Sequence, residues 1–171
     1  MNWTKLILII LTTSFLYGCE SKKGKIEDSV LVNQWADMTL YLSKNTPANS
    51  PTYASRAIGY IGLTMYESVV NGFSTHQSLA GQLNGLETLP KPVENETYDW
   101  QIAFNSAQAE ILKGIYMQTS DENKLKIDSL EASVEMTLNL ESEINNRSKL
   151  YGKAVAKAIY DWSISDGGHR G

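Results

Sequence analysis

Few side chains in this 171-residue sequence could take part in a reaction, and their setting limits what they could do. The two histidines are His76, in a polar stretch, and His169, two residues from the end. A nucleophile needs a base beside it, and neither histidine sits in a G-x-S-x-G or similar context, so both read as solvated surface residues. The single cysteine, Cys19, cannot close an internal disulfide, and with two histidines it falls short of the four nitrogen and sulfur ligands usual for zinc. No glycine-rich phosphate loop, H-E-x-x-H or calcium-loop pattern occurs, and the acidic residues 119–123 read as a helix cap. One polar pair stands out. Arg56, Tyr60, Leu63 and Glu67 recur at spacings of four, three and four, which places them on one helix face. At 1.5 Å per residue Arg56 and Glu67 lie roughly 16 Å apart, too far to pair with each other. Each is expected to hold a neighbouring helix or a cap, a structural ion-pairing role rather than one in binding substrate.

Cys19 has a different chemistry in view. Residues 1–18 carry a positive Lys5 followed by an apolar run from Leu6 to Phe15, broken by Thr12, Thr13 and Ser14. That run is shorter than the about 20 apolar residues of a permanent membrane span, and it reads as a signal peptide. Leu16-Tyr17-Gly18-Cys19 then looks like a bacterial lipobox, in which Cys19 becomes the new N-terminus and carries lipid. Two or three acyl chains anchor stably where one is marginal. The competing reading is a plain secretory signal with an incidental cysteine; the position of the lone cysteine at the cleavage point favours the lipobox. Residues 19–26, with Lys22, Lys23 and Lys25, form a polar tether, and residues 27–171 form the folded part. The expected location is the cell envelope, on the periplasmic face or the outer membrane.

The elements that position these residues read as helices throughout. Leu31, Trp35, Met38 and Leu42 mark one face of a helix over residues 27–43, with Glu27 and Asp28 in its first turn. Ser50 as N-cap and Pro51 as first residue open a second helix, whose predicted inward stripe is Ala54, Ile58, Ile61, Met65 and Val69. Gly59 and Gly62 cost about 1 kcal/mol each there relative to alanine. They predict close approach by another element and burial on more than one side. Residues 73–95 are irregular, with a short helical turn expected around His76–Leu83. A third helix is expected from Thr97 to Met117, with Trp100, Phe104, Ala107, Ile111 and Ile115 on one face. A fourth follows Ser120, with Ile127, Leu130, Val134 and Leu138. The last runs over residues 142–164, with Ile144, Tyr151, Val155, Ala158 and Trp162 inward, and stops at Asp166-Gly167-Gly168. No period-two strand segment occurs, so the predicted class is all-α, a packed helical bundle.

Composition narrows function further. Fifteen basic against nineteen acidic residues leave a net charge of −4, and the sequence has no basic field for nucleic acid. The aromatics Trp35, Trp100, Tyr116, Tyr151, Tyr160 and Trp162 are spread over three of these helices and read as packing rather than a stacking platform.

The stretch from Asn49 to Tyr60, continued through Met65–Val70 and Gln77–Leu83, resembles the vanadium-dependent haloperoxidase-like lipoproteins found in Bacteroidota. These belong to the type 2 phosphatidic acid phosphatase superfamily. Tyr151–Ala156 and Asp161 through Gly168 also resemble that family, so the likeness spans nearly the whole mature chain. The resemblance implies an all-α fold whose reaction centre holds vanadate, or a phosphoryl group in the phosphatases. The family's centre is built from motifs of the form K-x6-R-P, P-S-G-H and S-R-x5-H, and none is complete here. Ser55-Arg56 begins the third, but Gly62 stands where its histidine would be, and His169 lacks the preceding Pro-Ser. No catalytic, cofactor-binding or metal residue carries over. The resemblance thus implies the N-terminal, scaffold half of a longer enzyme, inactive by itself, with vanadate a cofactor of the full-length member only. Its expected partners are the membrane through lipidated Cys19 and the remaining half of the domain, with a homo-oligomer left open. The alternative is a non-catalytic helical envelope lipoprotein that binds a protein or small-molecule partner.

Overall fold

The structure, a computed structural model, describes residues 24–165. Five α-helices make up the described fold: α1 (Asp28–Asn45), α2 (Pro51–Glu67), α3 (Trp100–Ile115), α4 (Asp121–Leu138) and α5 (Ser142–Ser165). A single 3-10 turn, Val70–Gly72, follows α2, and no strand occurs among the described residues beyond an isolated bridge between Leu83 and Leu86. The all-α class is therefore as the sequence predicts. The caps are too: the Ser50 side chain accepts from the N–H of Tyr53, and that of Ser120 from Asn123. Cys19, His169 and the helix stop at residues 166–168 lie outside the described residues.

Helix α3 is the axis of the domain, packed against each of the other four helices. Its eight residues from Ile102 to Ala109 are all buried, so the single inward face expected from the sequence is a full circumference. The helix also begins later than expected, at Trp100, because the Asp99 side chain caps it by accepting from the N–H of Ile102. The most extensive contact is between α3 and α5, and it is made close by small residues. A Cβ on Gly152 would overlap the Ala103 carbonyl oxygen, while Ser106 Oγ donates to the Lys149 carbonyl across the same contact at 3.1 Å. The inward stripe of α5 is Ser148, Tyr151, Gly152, Val155, Ala156, Ile159 and Ser163; Ala158 and Trp162 are only partly buried. Polar ties cross the centre. Trp35 Nε1 donates to Asn105 Oδ1 at 3.0 Å, and Asn105 Nδ2 donates to the Glu131 carbonyl at 3.0 Å, joining α1, α3 and α4.

The predicted orientation of α2 is corrected. Its buried residues are Ala57, Tyr60, Ile61, Thr64 and Glu67, whereas Ile58 is 50% exposed. Of the expected stripe only Ile61 is fully inward; Ala54, Met65 and Val69 are half-buried. Gly59 and Gly62 are exposed, and a Cβ on either would meet nothing within 4 Å. The close helix approach expected there occurs instead at Gly152. The physical reason is that α2 rests on α3 and α5 with its Tyr60–Thr64 side and turns the glycine side outward.

Candidate functional site

The face of α2 is where the polar candidates, the irregular segment and the open surface come together. Glu67 ends the helix, is 2% exposed, and directs both carboxylate oxygens into the segment that follows. Oε2 accepts from the Ser78 hydroxyl and Oε1 from the Leu79 N–H, each at 2.7 Å. Ser78 Oγ in turn accepts from the Ala80 N–H at 3.0 Å, and the Tyr66 hydroxyl donates to the Gln77 carbonyl at 2.8 Å. The helical turn expected around His76–Leu83 is thus an irregular segment pinned by a buried carboxylate. Its tip reverses at Gly81 and Gly85, both at φ 77°, and Trp162 Nε1 of α5 donates to the Asn84 carbonyl at 3.1 Å.

Arg56 sits at the other end of α2, exposed, with its guanidinium donating to the Tyr60 hydroxyl at 3.2 Å. Tyr60 meets the Trp162 ring edge-on at 5.7 Å. The structure therefore does not bring Arg56 and Glu67 together, and Glu67 reaches hydrogen-bond donors of the following segment rather than a cation. His76 is exposed, with Thr75 Oγ1 3.0 Å from its Nδ1 and the Phe73 ring edge-on at 5.8 Å.

The sequence reading missed two features. Glu131 of α4, 6% exposed, faces three ammonium groups: Lys149 at 3.6 Å and Lys113 and Lys153 at 3.8 Å each. Lys113 also reaches Asp128 at 2.6 Å, and Lys149 reaches Glu135 at 2.5 Å. Partial burial works to lower the Lys149 pKa, but the Glu135 and Glu131 carboxylates outweigh it and raise the value above the ordinary 10.5. The cluster joins three helices, and the helical recurrence of Lys149 and Lys153, and of Asp128, Glu131 and Glu135, marked its two sides in the sequence. The second feature is Gln108, fully buried in α3 with no hydrogen-bond partner for either amide atom.

Three phenols are withdrawn from water, Tyr116 and Tyr151 buried and Tyr53 half-buried. The Tyr53 hydroxyl donates to the Ile115 carbonyl at 2.7 Å, and burial, with Tyr116, Tyr160 and Tyr60 nearby, raises its pKa above 10.0. Burial likewise raises Tyr116 and Tyr151. Asn71 Nδ2 donates to the Tyr151 hydroxyl at 2.8 Å.

A vanadate or phosphoryl site needs several cationic and N–H donors converging on one oxyanion. The lysines that do converge, at Glu131, are matched by three carboxylates, and Arg147 is held by Glu96 at 2.8 Å. The described residues do not fit that group. They also hold no cluster of three or more His, Cys, Asp or Glu side chains suited to a metal ion, and no helix long and apolar enough to cross a membrane.

What the α2 face does present is apolar concavity on both sides. One groove, of about 850 Å³, lies between α1, α2 and the start of α3, lined by Leu31, Val32, Met65, Val69, Phe73 and Phe104. A second, of about 520 Å³, lies between α2, the irregular segment and α5, lined by Gly59, Leu63, Leu79, Leu83 and Trp162. Both grooves include Gly62 and Tyr66.

No family model matches the sequence, and no curated protein does. Among solved structures the chain is similar to one titled as the crystal structure of the first bacterial vanadium-dependent iodoperoxidase. The two share 28% sequence identity with a TM-score of 0.69, over 84% of this chain and 34% of the iodoperoxidase chain. The chain thus spans about a third of the length of that enzyme. Its five described helices form a haloperoxidase-like helical scaffold.

Proposed function

We propose that this chain is the N-terminal, scaffold part of a vanadium-dependent haloperoxidase-like lipoprotein of the cell envelope, whose oxyanion site is built by residues outside this chain. The observation that carries the reading is the lopsided match: most of this chain aligns with an iodoperoxidase, and only a third of that enzyme is accounted for. The described residues agree with a supporting role, because Lys113, Lys149, Lys153 and Arg147 are engaged by carboxylates, and Asn105 and Ser106 tie neighbouring helices together. Phosphoryl chemistry of the type 2 phosphatidic acid phosphatase kind needs the same oxyanion donors, so it belongs to the same proposal. Cys19 supplies the membrane anchor, and Cys19→Ser is expected to shift the protein from the detergent phase to the aqueous phase.

The test is to immunopurify the protein from its native cells and assay vanadate- and peroxide-dependent iodide oxidation together with phosphatase activity. Activity is expected in a polypeptide longer than these 171 residues, or in a complex with a second chain. Oxidation of iodide by the 171-residue chain alone would refute the scaffold role. An inactive protein of this length with no companion would favour the second reading, a non-catalytic lipoprotein that takes a protein or small molecule into the open 850 Å³ groove.

A further inference from the structure

The two grooves flanking α2 are not independent, since they meet at Gly62 and Tyr66. Between them runs a strip of α2 with almost no relief, formed by Gly59 and Gly62. Apolar side chains are left open around it: Ile58 at 50% exposure, Phe73 at 53% and Val32 at 42%. Such a surface, a shallow ridge between two apolar troughs, matches the underside of another helix. Glycines on the ridge let two helix backbones approach to about 8 Å, and the side chains of the incoming helix drop into the troughs.

The other glycines inside described helices show what helical glycine does in this chain. A Cβ on Gly114 would press on the Tyr160 ring at 2.9 Å, and one on Gly152 would overlap the α3 backbone. Each makes room for a neighbour that is present. Gly59 and Gly62 make room for nothing within the described residues. Their cost of about 1 kcal/mol each against alanine is offset by no contact among the described residues.

We infer that the Gly59–Gly62 face of α2 seats an apolar helix from the part of a haloperoxidase-like fold that this chain does not cover. The inference rests on the scaffold reading above. About two thirds of the similar iodoperoxidase has no counterpart here, which supplies the source of the helix. A continuing helical core must cover the apolar surface that this third leaves open. The seated helix crosses α2 at Gly59 and Gly62 and places aliphatic or aromatic side chains on both flanks.

Photo-crosslinking tests the assignment. The full chain is expressed in its native cells with p-benzoylphenylalanine at Ile58, one turn before Gly62, and in a parallel sample at Leu125, which is 64% exposed on α4. Adducts are identified by peptide mass spectrometry. The expected adduct from position 58 is an apolar helical peptide belonging to a polypeptide with the haloperoxidase oxyanion residues, absent from position 125 and lost when Gly62→Leu fills the ridge. Because a Cβ at position 62 meets nothing, G62L is expected to fold, and its helical circular dichroism checks that. An adduct with a second copy of this chain, an adduct with lipid, or no adduct above the Leu125 sample would each overturn the inference. If position 58 fails while the immunopurified protein oxidises iodide, the scaffold reading stands and the helix is seated elsewhere. If both fail, both readings fall.

Discussion

Replacing the two outward glycines of α2 by alanine should make the isolated chain more stable. The double variant Gly59→Ala, Gly62→Ala disturbs no tertiary contact among the described residues, since beyond its own turn of helix neither new Cβ meets an atom within 4 Å. What changes is helix propensity, about 1 kcal/mol in favour of alanine at each interior position, so the pair contributes up to about 2 kcal/mol. For a domain of this size 1 kcal/mol moves the melting temperature by about 3–4 °C, which puts the expected shift near +6 to +8 °C. Gly152→Ala is the internal control of opposite sign. Its Cβ would overlap the Ala103 carbonyl, so α5 must move off α3, at a cost of about 1–3 kcal/mol or more. Thermal and urea unfolding followed at 222 nm on an unlipidated Cys19→Ser background measures all three. Loss of stability in the double alanine variant would show that the glycine face is packed within this chain, and the outward orientation of α2 would be refuted. In the longer protein the same substitution should act in reverse, because it thickens the ridge on which the second helix sits.

Glu67→Ala removes the acceptor for Ser78 and Leu79, and with roughly 1–2 kcal/mol for each of these two half-buried donors left unpaired it should destabilise the chain by about 2–4 kcal/mol. Limited proteolysis should then cut within residues 74–85 of the folded protein; unchanged resistance would mean the segment is held by other contacts. Gln108→Met keeps the side-chain volume while removing two unpaired amide atoms, and it should raise stability by about 1 kcal/mol or more. A drop in melting temperature would show that the amide has partners. Tyr53, Tyr116 and Tyr151 all have pKa values raised in the folded state, so the folded chain retains protons that the unfolded chain releases near pH 10. Their contribution to stability is complete below that pH and is lost as pH rises through the folded values. Phenolate absorbance at 295 nm from these tyrosines should therefore appear together with loss of helix above pH 10. Ionisation of Tyr53, Tyr116 and Tyr151 at the ordinary tyrosine pH with the helices intact would contradict their burial.

Helix existence and the starts of α2 and α4 were legible in the sequence because both are decided locally, whereas the cap at Asp99 that opens α3 was passed over. Ser50 and Ser120 cap through bonds to residues only three positions on, and Pro51 presets the first turn of α2. The buried faces of α1 and α4 followed from spacing, since Leu31, Trp35 and Leu42, and Ile127, Val134 and Leu138, are each the apolar side of a helix packed on one flank. Spacing failed where a helix has neighbours on all sides or where both sides are apolar. Helix α3 is buried around its circumference because four helices surround it, which its own residues cannot specify.

The rotation of α2 shows the same limit at the candidate site. Ile58 and Ile61 are equally apolar, and the choice between them was made by the surfaces of α3 and α5, about forty positions or more away in the chain. Glu67 was recognisable as a polar residue on a helix, but its role came from Ser78 and Leu79, which an irregular segment carries back to it. Gly59, Gly62 and Gly152 read alike in the sequence. Only the packing of the helices distinguished the glycine that admits α3 from the two that face an open groove, because close approach belongs to a pair of surfaces and the sequence of one helix describes half of it.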